Sequence, residues 1–169
     1  NIWTKLLLEQ AEKITADREE ILNHVTSEIP QFFKKLPLDE RWKDIGNKLS
    51  LKFNRGWEEG QLIEVLRSNF QEDMRRGFTK FGPQRFDLEI NILKEKAGDV
   101  LSRGEQKLLI LLIFLCFGEF ISEKIGKKVF YLVDDAAAEL DEENLILAFK
   151  SLEKVNGQKI ISAIKKPEN

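Results

Sequence analysis

Leu101-Ser102-Arg103-Gly104-Glu105-Gln106-Lys107 is followed downstream by Val129-Phe130-Tyr131-Leu132-Val133-Asp134-Asp135 and then by Glu139-Leu140-Asp141. The first stretch sets a hydroxyl and a glycine at the mouth of an apolar helix. Unpaired backbone N–H groups and the positive end of the helix dipole attract phosphate there. The second is an apolar strand that stops at two adjacent carboxylates, a donor pair suited to a water-coordinated magnesium ion and an activated water. Adjacent residues of a strand project to opposite sides, so Asp134 and Asp135 can do different work. A local reading of Ser102 also exists, because Ser-x-x-Glu is a helix capping box and Ser102 with Glu105 fits it. The carboxylate pair downstream favours the anion-binding reading, since like charges side by side at the end of an apolar strand repel and serve no packing purpose. In this order the segments specify a nucleotide-dependent switch.

Working outward, the chain of 169 residues carries 27 Lys+Arg against 29 Asp+Glu, so no overall basic field points to nucleic acid. Any DNA contact must come from a local patch. Cys116 is the only cysteine and lies in an apolar run, which excludes an intramolecular disulfide or a zinc cage and fits a reducing, cytoplasmic compartment. His24 is the only histidine, which removes most Ser-His and metallohydrolase schemes and reads as a solvated helix residue. The apolar run Leu108 to Phe117 is too short to span a bilayer, so no membrane association is expected; it reads as a helix buried on all sides. No signal peptide opens the chain, and its first residue is Asn rather than Met, as in a fragment or a processed protein.

Residues 1 to 28 space their apolar positions helically, with Pro30 and Pro37 expected to interrupt the helix. Residues 48 to 53 alternate as a half-buried strand. A helix is expected over 61 to 76, with Leu62, Val65, Leu66, Phe70 and Met74 on one face. Beyond Gly82-Pro83 a strand carries Phe86, Leu88, Ile90 and Ile92. From Leu101 the pattern becomes helix 104 to 124, strand 128 to 134, helix 142 to 154 and strand 158 to 163. That order predicts an α/β lobe of parallel strands covered by helices, preceded by a mainly helical appendage. The expected domains are 1–80 and 81–169.

These segments resemble the ABC-type ATPases of the chromosome-maintenance class, and within them the RecF family of bacterial recombination and repair proteins. Leu101 to Lys107 resembles the signature loop, Val129 to Asp135 the Walker B strand and Ala136 to Asp141 the D-loop. Phe53-Asn54-Arg55-Gly56-Trp57-Glu58, Asn69-Phe70 and Gly82-Pro83-Gln84-Arg85 resemble further family segments, so the likeness covers nearly the whole chain. It implies an ATP-gated DNA clamp acting in replication, recombinational gap repair and the SOS response, with two nucleotides sandwiched in an ATP-dependent homodimer. By the same resemblance Ser102 and Gly104 would contact the γ-phosphate bound to the opposite subunit, with Arg103 and Glu105 of the same loop among the nucleotide-binding residues. Asp134 would hold the Mg2+ water shell, Asp135 would orient the attacking water and Asp141 would couple the two sites. The implied cofactors are ATP and Mg2+. The implied partners are DNA, both double-stranded and at single/double-strand junctions, and a RecR-like mediator. Exposed Arg75, Arg76, Lys80 and Arg85 are the candidate DNA contacts.

The sequence departs from the family pattern in places. Ala138 stands where a serine is usual, and Gln84 replaces a histidine in the Gly-Pro-His-Arg segment. Ser162 follows the last strand where many ABC ATPases place a switch histidine. No phosphate loop is present: Gly126-Lys127 is followed by Lys128, and Ile121 stands where its first glycine belongs. Weak, DNA-stimulated ATP hydrolysis is therefore expected of a completed protein and not of this segment by itself. The competing readings are a non-enzymatic fragment that recruits a RecR-like partner and another SMC-like ABC ATPase.

Overall fold

The computed structural model describes residues 2–58, 60–135 and 140–162. The described residues form helices α1 (Ile2–Lys35), α2 (Glu40–Lys48), α3 (Leu62–Arg76), α4 (Ala97–Val100), α5 (Arg103–Ile125) and α6 (Glu142–Lys154). The strands are β1 (Leu49–Asn54), β2 (Asp87–Ile92), β3 (Glu95–Lys96), β4 (Phe130–Val133) and β5 (Gln158–Ile161). The order β1-β2-β3 makes one sheet and β4-β5 a second, whose strands run parallel as the helix–strand alternation requires. None of the described helices is long and apolar enough to cross a membrane.

Two compact units interleave along the chain. One contains the described residues of Asn1–His24 and Leu51–Glu89, the other those of Val25–Ser50 and Ile90–Asn169. The boundaries between the units do not fall between elements: α1, β1 and β2 each pass from one unit into the other.

In the first unit Ala11, Trp57 and Leu62 are buried, with Leu8, Val65, Leu66 and Phe81 packed on them. Gly56 sits at φ +92, and a Cβ there would lie 2.2 Å from the Gly82 carbonyl oxygen, so only glycine fits. Gly82 N–H donates to the Gly56 carbonyl at 3.0 Å, which joins two of the segments singled out in the sequence. The stripe expected on α3 is only partly covered: Leu62 is buried, whereas Phe70 and Met74 are 57% and 66% exposed.

In the second unit α1 continues through Pro30 to Lys35, where the sequence predicted a break. An interior proline costs about 3 kcal/mol, and each apolar side chain buried returns about 1.5–3 kcal/mol. Ile29, Phe32, Phe33 and Leu36 are all buried around it, which offsets the loss. Helix α2 was not read from the sequence; Asp39 caps it by accepting from Trp42 N–H at 2.9 Å. Helix α5 buries Leu108, Leu109, Leu112, Ile113, Leu115 and Cys116 and packs on α6. It is not buried on all sides as expected, since Ile110 and Ile121 are exposed and Phe114 is 67% exposed. The β4–β5 sheet is likewise one-sided: Tyr131 is buried, while Phe130, Leu132 and Ile160 are exposed. Burial pushes the Cys116 thiol up to about 12, with Glu28 and Glu119 adding to it. His24 is exposed on α1, as expected.

Candidate nucleotide site

Strand β4 is held from below by one close approach. A Cβ on Gly118 of α5 would meet the Tyr131 hydroxyl at 2.3 Å and its ring at 2.6 Å, so glycine alone lets the ring lie against the helix backbone. Gly157, at φ +130, admits the Val129 carbonyl and also lies close to the Tyr131 ring. The register pairs Leu132 with Ile160 and Val133 with Ile161, which brings the strands to a common C-terminal edge. Open parallel sheets bind ligands at that edge.

Asp134 and Asp135 follow at this edge. Asp135 has φ 49, the left-handed region that a side chain disfavours and that Asp tolerates better than most residues. Ser162, just past β5, donates its N–H to the Val133 carbonyl at 2.9 Å. Its Oγ donates to Asp134 Oδ1 at 2.5 Å and accepts the Asp135 N–H at 2.8 Å. The pair is thus gathered by one hydroxyl from the neighbouring strand.

Ser102 and Glu105 form a complete capping box at the start of α5. Glu105 N–H donates to Ser102 Oγ at 3.3 Å, and Ser102 N–H donates to Glu105 Oε2 at 2.8 Å. Arg41 of α2 pairs with the other oxygen of Glu105. That hydrogen bond, against the opposing desolvation, holds the Glu105 carboxyl below its ordinary range. Gln106 Nε2 donates to the Leu101 carbonyl at 2.8 Å and to that of Gly98 at 3.2 Å, tying the loop from behind. Ser102 and Arg103 are exposed, and Gly104 is buried in the first turn. Arg41 was not found from the sequence, and nothing local marks it, since the pair is formed across the fold.

Asp141 caps α6, accepting from Asn144 N–H at 2.8 Å and from Asn144 Nδ2 at 2.9 Å. Ala138 and Glu139 lie outside the described residues. Arg75 and Arg76 occupy the last turn of α3, and Arg76 pairs with Glu72. Lys80 lies 4.9 Å from the Phe81 ring centroid and Arg85 5.6 Å from that of Phe78. Three of the four are exposed and Lys80 is half-buried, all in the first unit. Gln84, in the place of the customary histidine, donates to the Thr79 and Phe81 carbonyls at 3.2 and 3.3 Å and so holds its own loop.

No family model matches the chain. Among curated proteins it is 36% identical over 166 residues to the DNA replication and repair protein RecF of Aliivibrio salmonicida, covering 96% of this chain and 44% of that protein. The RecF of an Escherichia coli O6:K15:H31 strain is 36% identical over 163 residues with the same coverage. The chain thus spans less than half the length of these relatives. Among solved structures, the recombination mediator RecF–ATP of the RecFOR pathway superposes with TM-score 0.66 at 23% identity, over 99% of this chain and 45% of that one. At that identity the likeness is one of fold.

Proposed function

Because the chain belongs to the RecF family, matching a C-terminal portion of those proteins, we propose that it supplies one half of an ATP-gated DNA clamp for replication and recombinational repair. The observation that carries this reading is the gathered pair Asp134 and Asp135 at the C-terminal edge of parallel β4 and β5. Nucleotide would bind between two subunits, with the Ser102–Glu105 loop of one facing the γ-phosphate held by the other.

The donors fit magnesium. It is held by one or two carboxylates together with waters and phosphate oxygens, so the lack of any cluster of three ligating side chains among the described residues is no obstacle. Asp134 keeps Oδ2 for the ion's water shell while Oδ1 is held by Ser162. When bound, the ion would neutralise charge developing on the transferred phosphoryl group. Asp135 would orient the attacking water from a backbone fixed in the left-handed region. The phosphate cradle would come from another part of the complete protein. In this reading residues 1–80 form a helical second domain, 81–169 belong to the ATPase lobe, and the protein works in the cytoplasm with a RecR-like partner.

The test is steady-state ATP hydrolysis by the full-length protein against its concentration, with DNA present, repeated with Ser102→Arg. Turnover that rises more steeply than linearly and disappears in the variant is expected. Linear turnover indifferent to Ser102 would overturn the trans-site assignment. The DNA reading is tested separately by neutralising Arg75, Arg76, Lys80 and Arg85. Each phosphate-binding charge removed should reduce the slope of log affinity against log salt by about 0.9.

One observation favours a second reading. The Ser102 hydroxyl and the Glu105 carboxylate are already engaged in the capping box, each accepting the other residue's backbone N–H, as in a module that folds and recruits a partner without nucleotide. Nucleotide-independent binding of a RecR-like protein, unaffected by Ser102→Ala, would favour it.

A further inference from the structure

We infer that Ser162 is a positioning residue for the carboxylate pair: its side chain holds Asp134 and the backbone of Asp135 and does not itself contact the nucleotide. This rests on the nucleotide reading of the strand edge. A serine hydroxyl has one proton to donate, and here it is donated to Asp134 Oδ1, 2.5 Å from Ser162 Oγ. A lone pair of the same oxygen takes the Asp135 N–H at 2.8 Å. With its proton committed, the hydroxyl offers an approaching phosphate oxygen only a lone pair, which repels it. Ser162 can therefore act on phosphate only through Asp134 and Asp135.

The hydroxyl does two things at once. By taking up Oδ1 it restrains the Asp134 carboxylate and leaves Oδ2 as the remaining acceptor. By accepting the Asp135 N–H it supports a backbone at φ 49, a conformation that persists only where its surroundings over-determine it. The third bond, from Ser162 N–H to the Val133 carbonyl at 2.9 Å, fixes the hydroxyl relative to β4 by extending the ladder one step past Val133 and Ile161. Removing a group that orients a metal ligand typically weakens the metal about 10–100-fold.

The experiment uses the full-length protein with Ser162→Ala and the isosteric pair Ser162→Thr and Ser162→Val, so that shape is separated from the hydroxyl should alanine disturb folding. Amide hydrogen exchange at Asp135 is measured without nucleotide or metal. Mn2+ affinity is read by electron paramagnetic resonance with a non-hydrolysable ATP analogue, and analogue affinity is read again in chelator. Alanine and valine are expected to speed exchange at Asp135 by about tenfold, the loss of one hydrogen bond. They are expected to weaken Mn2+ roughly tenfold and to leave metal-free analogue affinity unchanged, while threonine preserves all three values. Unchanged exchange would overturn the clasp. Faster exchange with unaltered Mn2+ affinity, where Asp134→Asn does lower it, would overturn the positioning role. A fall in metal-free analogue affinity would mean that the hydroxyl acts on phosphate directly and would overturn the inference in that way. Mn2+ affinity indifferent to Asp134→Asn would instead remove the metal reading of the edge, with exchange at Asp135 still deciding whether the clasp exists.

Discussion

The loop at Leu101–Lys107 and the strand end at Val133–Asp135 are both polar endings of apolar elements, yet they are held in opposite ways. The loop is held chiefly from within: Ser102 and Glu105 exchange two hydrogen bonds within one turn, Gln106 ties it from behind, and the helix behind it would want such a cap in any protein, with Arg41 adding one pairing from α2. The strand end depends on another strand. Asp135 sits in a disfavoured backbone region, and its N–H and the Asp134 carboxylate both rely on Ser162. A feature explained mostly by its neighbours in sequence carries little functional information. Strain maintained from a distance carries more.

Substitutions can break or sharpen that contrast. The largest effect is expected at the strand end, where Asp135→Asn in the full-length protein should lower ATP turnover by about a hundredfold or more without lowering its melting temperature. A comparable loss from Ser102→Ala, which keeps the helix, would erase the distinction. Next is the support under β4: Gly118→Ala forces a methyl into the Tyr131 ring and should cost about 1–3 kcal/mol in a denaturant melt. Ser102→Ala removes a cap and should cost about 1 kcal/mol by the same measurement. Asp135→Gly should run the other way, raising stability by about 0.5–1 kcal/mol as the left-handed strain is relieved, while abolishing turnover. A destabilised glycine variant would mean that the strand end is not strained.

The smallest effect concerns Arg41→Ala. Glu105 has its carboxyl pKa lowered from 4.5 chiefly by Arg41, so the pair stabilises the fold above that value and the contribution is lost as pH falls through the depressed pKa. Because Arg41 is largely exposed, the deficit should be about 0.5 kcal/mol at pH 7. It should vanish once Glu105 is protonated in both proteins, which melts between pH 7 and pH 2 would follow.

The order of elements from α5 to β5, and the parallel pairing of β4 with β5, were legible because helix and strand periods differ and a strand–helix–strand order is the usual way parallel strands are joined. The capping box was legible for the same local reason. Pro30 misled because its penalty is local, whereas the burial of Ile29, Phe32 and Phe33 that offsets it is tertiary. The all-round apolar character of α5 also misled: composition reports that Phe114 and Ile110 are apolar and says nothing of what faces them. Arg41, which settles one side of the loop, carries no local signal at all.

By itself the sequence determined the apolar strand ending in two carboxylates, the capped helix before it and the α/β order that sets them on one lobe. These follow from side-chain periodicity and from caps that act within a turn. Only the tertiary structure decided that one serine hydroxyl gathers both aspartates, that glycine at position 118 seats Tyr131 under the strand, and that α1 runs unbroken past its proline. Those depend on which distant groups come within about 3 Å of one another, and that is fixed by packing rather than by any local pattern.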